Sequence, residues 1–349
     1  MRALKYNGTW DVSLEQVEDL HVINPNDVVI DIKYCGICGT DVGIISGAYP
    51  VAVKGVTLGH EAAGIIAEIG KDVTNVKVGD RVAINPTYYC GKCRMCETLR
   101  INHCENKIGT ESGVSYDGTY ADRYRTTSDF VYKIPDNVSM KAITLTEPLS
   151  CVITGVRKIQ PSSMSLYTFV FGAGTMGILY TWALSLKGLV PVVIETSKAR
   201  LEYAKNCLPE GVNIYSSLEE ARINYFKDEK APLDIVVDTT SGLLETLYPQ
   251  MSCDGIYMSI GLKDKYTKIN VRELADKSLS IIGSIDSLHG SFLEAFHLIT
   301  KNVIPAEKLV SHVIPLENYK EAFSILGCDI DSKSMAEPKE KNAKIIIEC

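Results

Sequence analysis

Leu166-Tyr167-Thr168-Phe169-Val170-Phe171-Gly172-Ala173-Gly174-Thr175-Met176-Gly177 is the stretch that decides the fold of this chain. A short apolar run ends in G-x-G-x-x-G, and Ile178, Leu179, Trp182, Ala183 and Leu186 follow at helical spacing. The stretch therefore reads as strand, tight glycine turn and helix. Gly172 permits the turn, Gly174 lets a ligand approach the backbone, and Gly177 lets the helix pack closely. Thr175 and Met176 open that helix, whose free N–H groups and positive dipole end suit a pyrophosphate.

The same texture continues outward. Val190 to Glu195 reads as a strand and Arg200 to Cys207 as a helix, with strands at 234–238, 255–261 and 279–283. Such alternation predicts a parallel sheet with helices on both faces. Glu195 ends the next strand, 23 residues after Gly172, where a carboxylate can accept hydrogen bonds from a ribose diol. It would repel a 2′-phosphate, so NAD is favoured over NADP. Lys198 and Arg200 lie just downstream, as charges at the start of the next helix that could also reach a cofactor phosphate.

Residues 1 to about 150 read differently. Val28–Ile32, Gly64–Gly70 and Arg81–Ile84 are short β-type runs set off by glycine turns. Beyond Leu288 come helices at Phe292–Thr300 and Asn318–Leu326, a polar stretch from Asp329 to Asn342 read as an exposed loop, and a last strand at 343–347. At roughly 150 residues per domain, 349 residues suggest two domains.

The bulk composition is that of a globular enzyme, 46% hydrophobic and 23% charged. Lys plus Arg number 36 and Asp plus Glu 43, a net charge of −7 that argues against a nucleic-acid or anionic-membrane binder. The uncharged run from Ile159 to Leu186 is long enough for a membrane span, but its glycines, serines and Pro161 favour the strand–turn–helix reading. With no signal-like apolar run at the N-terminus, a cytoplasmic location is expected.

That location bears on the 11 cysteines, which then serve metal or catalysis better than disulfides. Cys90-x2-Cys93-x2-Cys96-x7-Cys104 can surround one tetrahedral zinc, leaving no open position, so the site would be structural. An iron–sulfur cluster or two disulfides are the competing readings. Six others (Cys35, Cys151, Cys207, Cys253, Cys328 and Cys349) read as buried small hydrophobes.

A second constellation is scattered. Cys38 lies in Cys38-Gly39-Thr40-Asp41, His60 and Glu61 in Leu58-Gly59-His60-Glu61, and Glu147 before Pro148 at a helix entrance. These are the ligand types of a zinc site that keeps one position open. Each also has a plainer reading, as a buried thiol, a hydrogen-bonded imidazole or a capping carboxylate. Spacing does not bring three distant segments together.

Taken in order along the chain, Cys38-Gly39-Thr40-Asp41, Leu58-Gly59-His60-Glu61-Ala62-Ala63-Gly64, Val78-Gly79-Asp80-Arg81-Val82, the four cysteines, Glu147-Pro148-Leu149-Ser150 and the glycine fingerprint resemble the zinc-dependent medium-chain alcohol and polyol dehydrogenase family. The resemblance covers essentially the whole chain and is strongest to the sorbitol and threonine dehydrogenase branch. It implies an α/β architecture. Residues 1–150 and 288–349 would form a GroES-like, β-rich catalytic domain, and 151–287 a Rossmann domain with a doubly wound parallel sheet.

It also implies two zinc ions per subunit, one structural and one catalytic. Cys38 and His60 would be ligands of the catalytic zinc, and Glu61 a ligand or near-ligand that exchanges with water. Glu147 stands where simple alcohol dehydrogenases have cysteine and the sorbitol branch glutamate. Thr40 would hand on the substrate proton, and hydride would pass to NAD held by Gly172, Gly174, Thr175, Met176, Gly177, Glu195 and Arg200. The implied substrate is a small polyol, sugar alcohol (possibly phosphorylated) or amino alcohol, and the implied assembly a homodimer or homotetramer. Tyr49 could line the pocket.

Two departures stand out. Gly43 occupies a position where many members carry a proton-relay histidine, and the polar segment 329–341 is longer than usual in the family. The competing readings are a zinc-free enone or quinone reductase of the same superfold and a non-catalytic zinc- and NAD-binding protein.

Overall fold

The computed structural model describes residues 1–106, 111–162, 165–262, 266–338 and 341–349. The chain divides into two compact units, one of Met1–Ser150, Ser287–Lys339 and Lys344–Cys349, the other of Cys151–Asp286 and Glu340–Ala343.

The first unit is built on a seven-stranded sheet. Its path runs Val310–Pro315, Lys344–Glu348, Asp27–Gly36, Glu61–Ile69, Arg81–Ile84 and Val131–Lys133, and Arg123–Thr127 pairs with Asp27–Gly36. Leu4, Ile30, Ile32, Ile44, Leu58, Tyr120 and Phe323 pack into its core. Asp27–Gly36 is central and antiparallel to both neighbours, so its end is pinned from two sides: Gly36 faces Glu61 on one strand and Ile346 on the other. Just past this junction Cys38 caps the helix Gly39–Ser46.

The second unit holds a six-stranded, wholly parallel sheet in the order Ile214–Tyr215, Pro191–Ile194, Thr168–Phe171, Leu233–Asp238, Met251–Ser259, Ser280–Gly283. Thr168–Phe171 and Pro191–Ile194 are buried throughout, as expected of strands covered on both faces. The strand order reverses beside Thr168–Phe171, so Gly172 emerges at the switch point where such sheets bind ligands. Among the described residues no helix is long and apolar enough to cross a membrane.

Two sequence expectations need correction. The stretch from Asp329 to Asn342 is not simply an exposed loop: Cys328–Asp329 and Ser334–Met335 pair as a short antiparallel hairpin, and Asn342 is buried. A two-residue pairing needs no apolar alternation, so a polar sequence hides it; Lys339 and Glu340 lie outside the described residues. Of the six cysteines expected to be buried, Cys253 is exposed and Cys151 and Cys349 are only half-buried. The pairing of Leu233 with Met251 jumps to Ile235 with Ile256, so extra residues around Cys253 are looped out of the ladder. Asp254 beside it takes a left-handed backbone, φ 61°.

Candidate functional site

The sheet junction of the first unit assembles the scattered constellation. Cys38 is the N-cap of Gly39–Ser46: its sulfur accepts from the Thr40 N–H (3.5 Å), and Asp41 Oδ2 accepts from the Cys38 N–H (2.9 Å). This reciprocal cap satisfies helix-end donors and fixes the direction of the thiol. Glu61 opens the adjacent strand and His60 directly precedes it, and ligand atoms of Cys38, His60 and Glu61 all lie within 4.8 Å of one another. Glu147, buried in the first turn of Thr146–Val156, is outside that triplet, yet its charge bears on both His60 and Lys344. Thr40 is half-buried, two residues from the thiol.

Among the described residues, three buried polar atoms here have no hydrogen-bond partner: Asp41 Oδ1, His60 Nδ1 and Glu61 Oε1. Buried polar atoms are ordinarily satisfied, so this concentration of orphans beside a thiol fits a bound cation. His60 Nδ1 stands 3.9 Å from Asp41 Oδ1. Burial works against a charged imidazole, but the negative surroundings of Asp41, Cys38 and Glu147 outweigh it and hold His60 well above its ordinary pKa. Burial raises the pKa of Asp41 itself.

Two supporting residues were not read from the sequence. Tyr120, fully buried, donates to Asp41 Oδ2 (2.7 Å). Gly59, at φ +92°, makes room for its ring, since a Cβ there would lie 2.8 Å from Tyr120 Cδ1. Lys344, 2% exposed, donates to Glu61 Oε2 (2.5 Å) and to the Ile37 carbonyl (2.9 Å). Burial alone would depress its pKa, but Glu61, Cys38 and Glu147 hold it above the usual lysine value. The signal that could have found it is one lysine inside the otherwise apolar run Ala343–Ile347.

Gly43 and Tyr49 are coupled. Tyr49 N–H donates to the Gly43 carbonyl (2.9 Å), and a Cβ on residue 43 would lie only 3.1 Å from Tyr49 Cβ. A histidine at 43 would require this half-buried tyrosine to give by a few tenths of an ångström.

Cys90, Cys93, Cys96 and Cys104 converge in a small lobe with Ile101. The Sγ separations are 3.5 Å (Cys93–Cys96), 3.9 Å (Cys90–Cys96) and 3.9 Å (Cys93–Cys104). A tetrahedron with zinc–sulfur bonds of about 2.3 Å has edges of about 3.8 Å, so the spacing matches a zinc site and is far too long for disulfides. N–H groups point at the sulfurs: Asn106 Nδ2 to Cys90 (3.3 Å), Cys90 N to Cys104 (3.4 Å) and Glu105 N to Cys93 (3.4 Å). The Lys92 N–H and then Asn106 lower the Cys90 thiol to about 6, whereas burial pushes Cys96 up to about 12.

In the second unit Gly172 takes φ +94°, and a Cβ on Gly177 would collide with the Gly172 carbonyl. Nothing crowds Gly174, where a ligand would approach. Thr175 and Met176 begin the helix Thr175–Leu186, and the Thr175 hydroxyl donates to the Ala343 carbonyl (3.0 Å). Glu195, buried at the end of its strand, accepts from Ala173 N–H (2.7 Å, Oε2) and Ser197 N–H (2.8 Å, Oε1). It ties the glycine turn to the next strand end. Arg200 lies in the first turn of Lys198–Ala204.

The architecture and these clusters have known counterparts. Residues 24–136 match the alcohol dehydrogenase GroES-like domain. The chain is 31% identical over 327 residues to D-xylulose reductase A of Aspergillus oryzae, covering 90% of this chain and 88% of that one. It is 30% identical over 332 residues to a probable D-xylulose reductase A of Aspergillus clavatus, covering 90% of each. In fold it is similar to an Escherichia coli alcohol dehydrogenase solved with NADH, with a TM-score of 0.86 at 22% identity over 100% of this chain and 99% of that one. Sequence similarity along nine-tenths of the chain, the GroES-like match and the shared fold together make this chain an oxidoreductase of the zinc-dependent medium-chain alcohol and polyol dehydrogenase family.

Proposed function

We propose that the chain reversibly oxidises a secondary alcohol of a polyol, sugar alcohol or amino alcohol to a ketone, with hydride transfer to NAD. The observation that carries this reading is the convergence of Cys38, His60 and Glu61 on one partly buried point where His60 Nδ1 and Glu61 Oε1 lack hydrogen-bond partners among the described residues. The relatives named D-xylulose reductase favour a ketose and its polyol as the substrate pair.

In this reading Cys38, His60, Glu61 and Glu147 hold the catalytic zinc, and Cys90, Cys93, Cys96 and Cys104 a structural one. When bound, zinc supplies Lewis acidity to the substrate hydroxyl and nicotinamide supplies the hydride acceptor. Tyr120 holds Asp41, whose second oxygen faces His60 Nδ1 at 3.9 Å and favours a positive imidazole electrostatically. Thr40 accepts the proton of the substrate hydroxyl at Oγ1 and passes it outward. Gly43 bears no side chain to continue that path.

Glu195 selects NAD. An ionised carboxylate has about four lone-pair sites, and two serve the Ala173 and Ser197 N–H groups, leaving the rest for a ribose diol. The same charge disfavours a 2′-phosphate. The glycine turn and the N-terminus of Thr175–Leu186 take the pyrophosphate, with Arg200 close behind in sequence.

The test is nicotinamide reduction across polyols, phosphorylated polyols, threonine and simple alcohols, each with and without a zinc chelator. Chelator-sensitive turnover of a polyol with NAD is expected. Turnover that ignores the chelator would overturn the zinc role.

A further inference from the structure

Lys344 is a buried cation in contact with one candidate metal donor, Glu61, and its place is built from three strands. Its backbone lies at the start of Lys344–Glu348, where its carbonyl accepts from the Ser311 hydroxyl (3.0 Å). Its Nζ reaches Glu61 Oε2 at 2.5 Å and the Ile37 carbonyl at 2.9 Å. Gly36 lies across from Glu61, and a Cβ there would run into Glu61 Oε2 and crowd Lys344 Cδ. The pair is nearly sealed, with side chains 2% and 1% exposed. Glu61 Oε1 has no partner.

A carboxylate can seize a metal through both oxygens, and four protein donors would fill the sphere of a tetrahedral zinc. A catalytic zinc needs one position free. With Oε2 committed to an ammonium, Glu61 offers only Oε1, and it has a partner to fall back on when it lets go. Charge points the same way. Three anionic donors around a dication leave one negative charge over, and the buried lysine cancels it.

We infer that Lys344 is a positioning residue that competes with the metal for Glu61 and so keeps one coordination position open for the substrate. The inference rests on the reading of Cys38, His60, Glu61 and Glu147 as a zinc site. Removing the lysine does not loosen the metal, because it takes a positive charge away from a cation. It lets Glu61 close on the ion and shut out the alcohol.

The test is Lys344→Met, with Lys344→Arg as the conservative variant, each loaded with cobalt in place of zinc. Metal content is measured after dialysis, the visible cobalt bands report coordination number, and steady-state rates are taken with the best alcohol. Lys344→Met is expected to retain both metals, to show weaker cobalt bands as coordination number rises, and to lose at least tenfold in kcat/KM. Lys344→Arg is expected to restore bands and rate. Loss of the metal in folded Lys344→Met, or unchanged bands and turnover, overturns the inference.

Should Lys344→Met fail to fold, Glu61→Gln is compared with the double variant Glu61→Gln, Lys344→Met, in which no buried charge is stranded. Equal cobalt spectra are expected, since the lysine acts through the carboxylate; a further change overturns it. If the wild type holds metal only in the four-cysteine lobe, the zinc reading itself falls and the role of Lys344 with it. Two metals in the wild type with an unaltered variant would sink only Lys344.

Discussion

Asp41 Oδ2 receives the Tyr120 hydroxyl at 2.7 Å and, on the same oxygen, the Cys38 N–H at 2.9 Å, while Oδ1 faces His60 Nδ1 at 3.9 Å. One buried carboxylate thus ties the Cys38 cap to Tyr120 and sets a negative charge opposite the His60 ring. Tyr120→Phe removes one donor to that charge. It should cost about 1.5–3 kcal/mol of stability, the usual worth of a hydrogen bond to a charged group. Urea denaturation checks this, and a change within error would mean that the cap alone holds Asp41.

Cys38→Ser should abolish turnover while leaving NAD affinity within about twofold, because the glycine turn and Glu195 lie on other segments of chain. Fluorescence titration with NADH beside the steady-state assay separates the two effects. Unchanged turnover would remove Cys38 from the metal site.

Zinc binding to the four-cysteine lobe should release protons and strengthen with pH. At neutral pH Cys90, at about 6, is already mostly thiolate, whereas Cys96, at about 12, must be stripped of its proton by the metal. Calorimetry in two buffers of different ionisation enthalpy reads the number released. A value near zero would contradict the assignment.

Asp80 supplies an acid-sensitive increment of stability. Its Oδ1 accepts from Lys133 (2.8 Å) and Lys77 (2.7 Å), and these bonds hold its carboxyl far below the ordinary aspartate value. A depressed pKa stabilises above the unfolded value of about 4 and is lost as pH falls toward the folded one. The difference in melting temperature between wild type and Asp80→Asn should therefore be full at pH 7 and shrink below about pH 4. A difference that stays constant with pH would assign the effect to packing.

Glu195→Ala should weaken NAD binding and narrow the preference over NADP. It strands the Ala173 and Ser197 N–H groups, each costing about 1–3 kcal/mol of stability when left unsatisfied, and so loosens the glycine turn that NAD would approach. The ratio of kcat/KM for the two cofactors checks this. A preserved NAD preference would pass the selecting role to Arg200 or its neighbours.

Much of this was legible because some chemistry is local in the chain. The glycine fingerprint needs only a turn between a strand and its helix, so Gly172, Gly174 and Gly177 announce themselves within six residues. The cysteine lobe spans 90 to 104, and its short turns bring sulfurs together whatever surrounds them. The hairpin hidden in 328–335 and the looped-out Cys253 escaped because no local pattern marks them.

The sequence by itself determined the two-part α/β plan, the dinucleotide turn and a four-thiol cluster, since each follows from residue spacing along one short segment. Only the tertiary structure decided which distant residues complete the second cluster. Tyr120 reaches Asp41 across 79 residues of chain and Lys344 reaches Glu61 across 283. Those meetings depend on sheet register, where a slip of one residue turns a side chain to the opposite face. A lone lysine in an apolar strand signals that something buried and negative must lie beside it, but not which carboxylate. The pairing of Gly36 with both Glu61 and Ile346 names it.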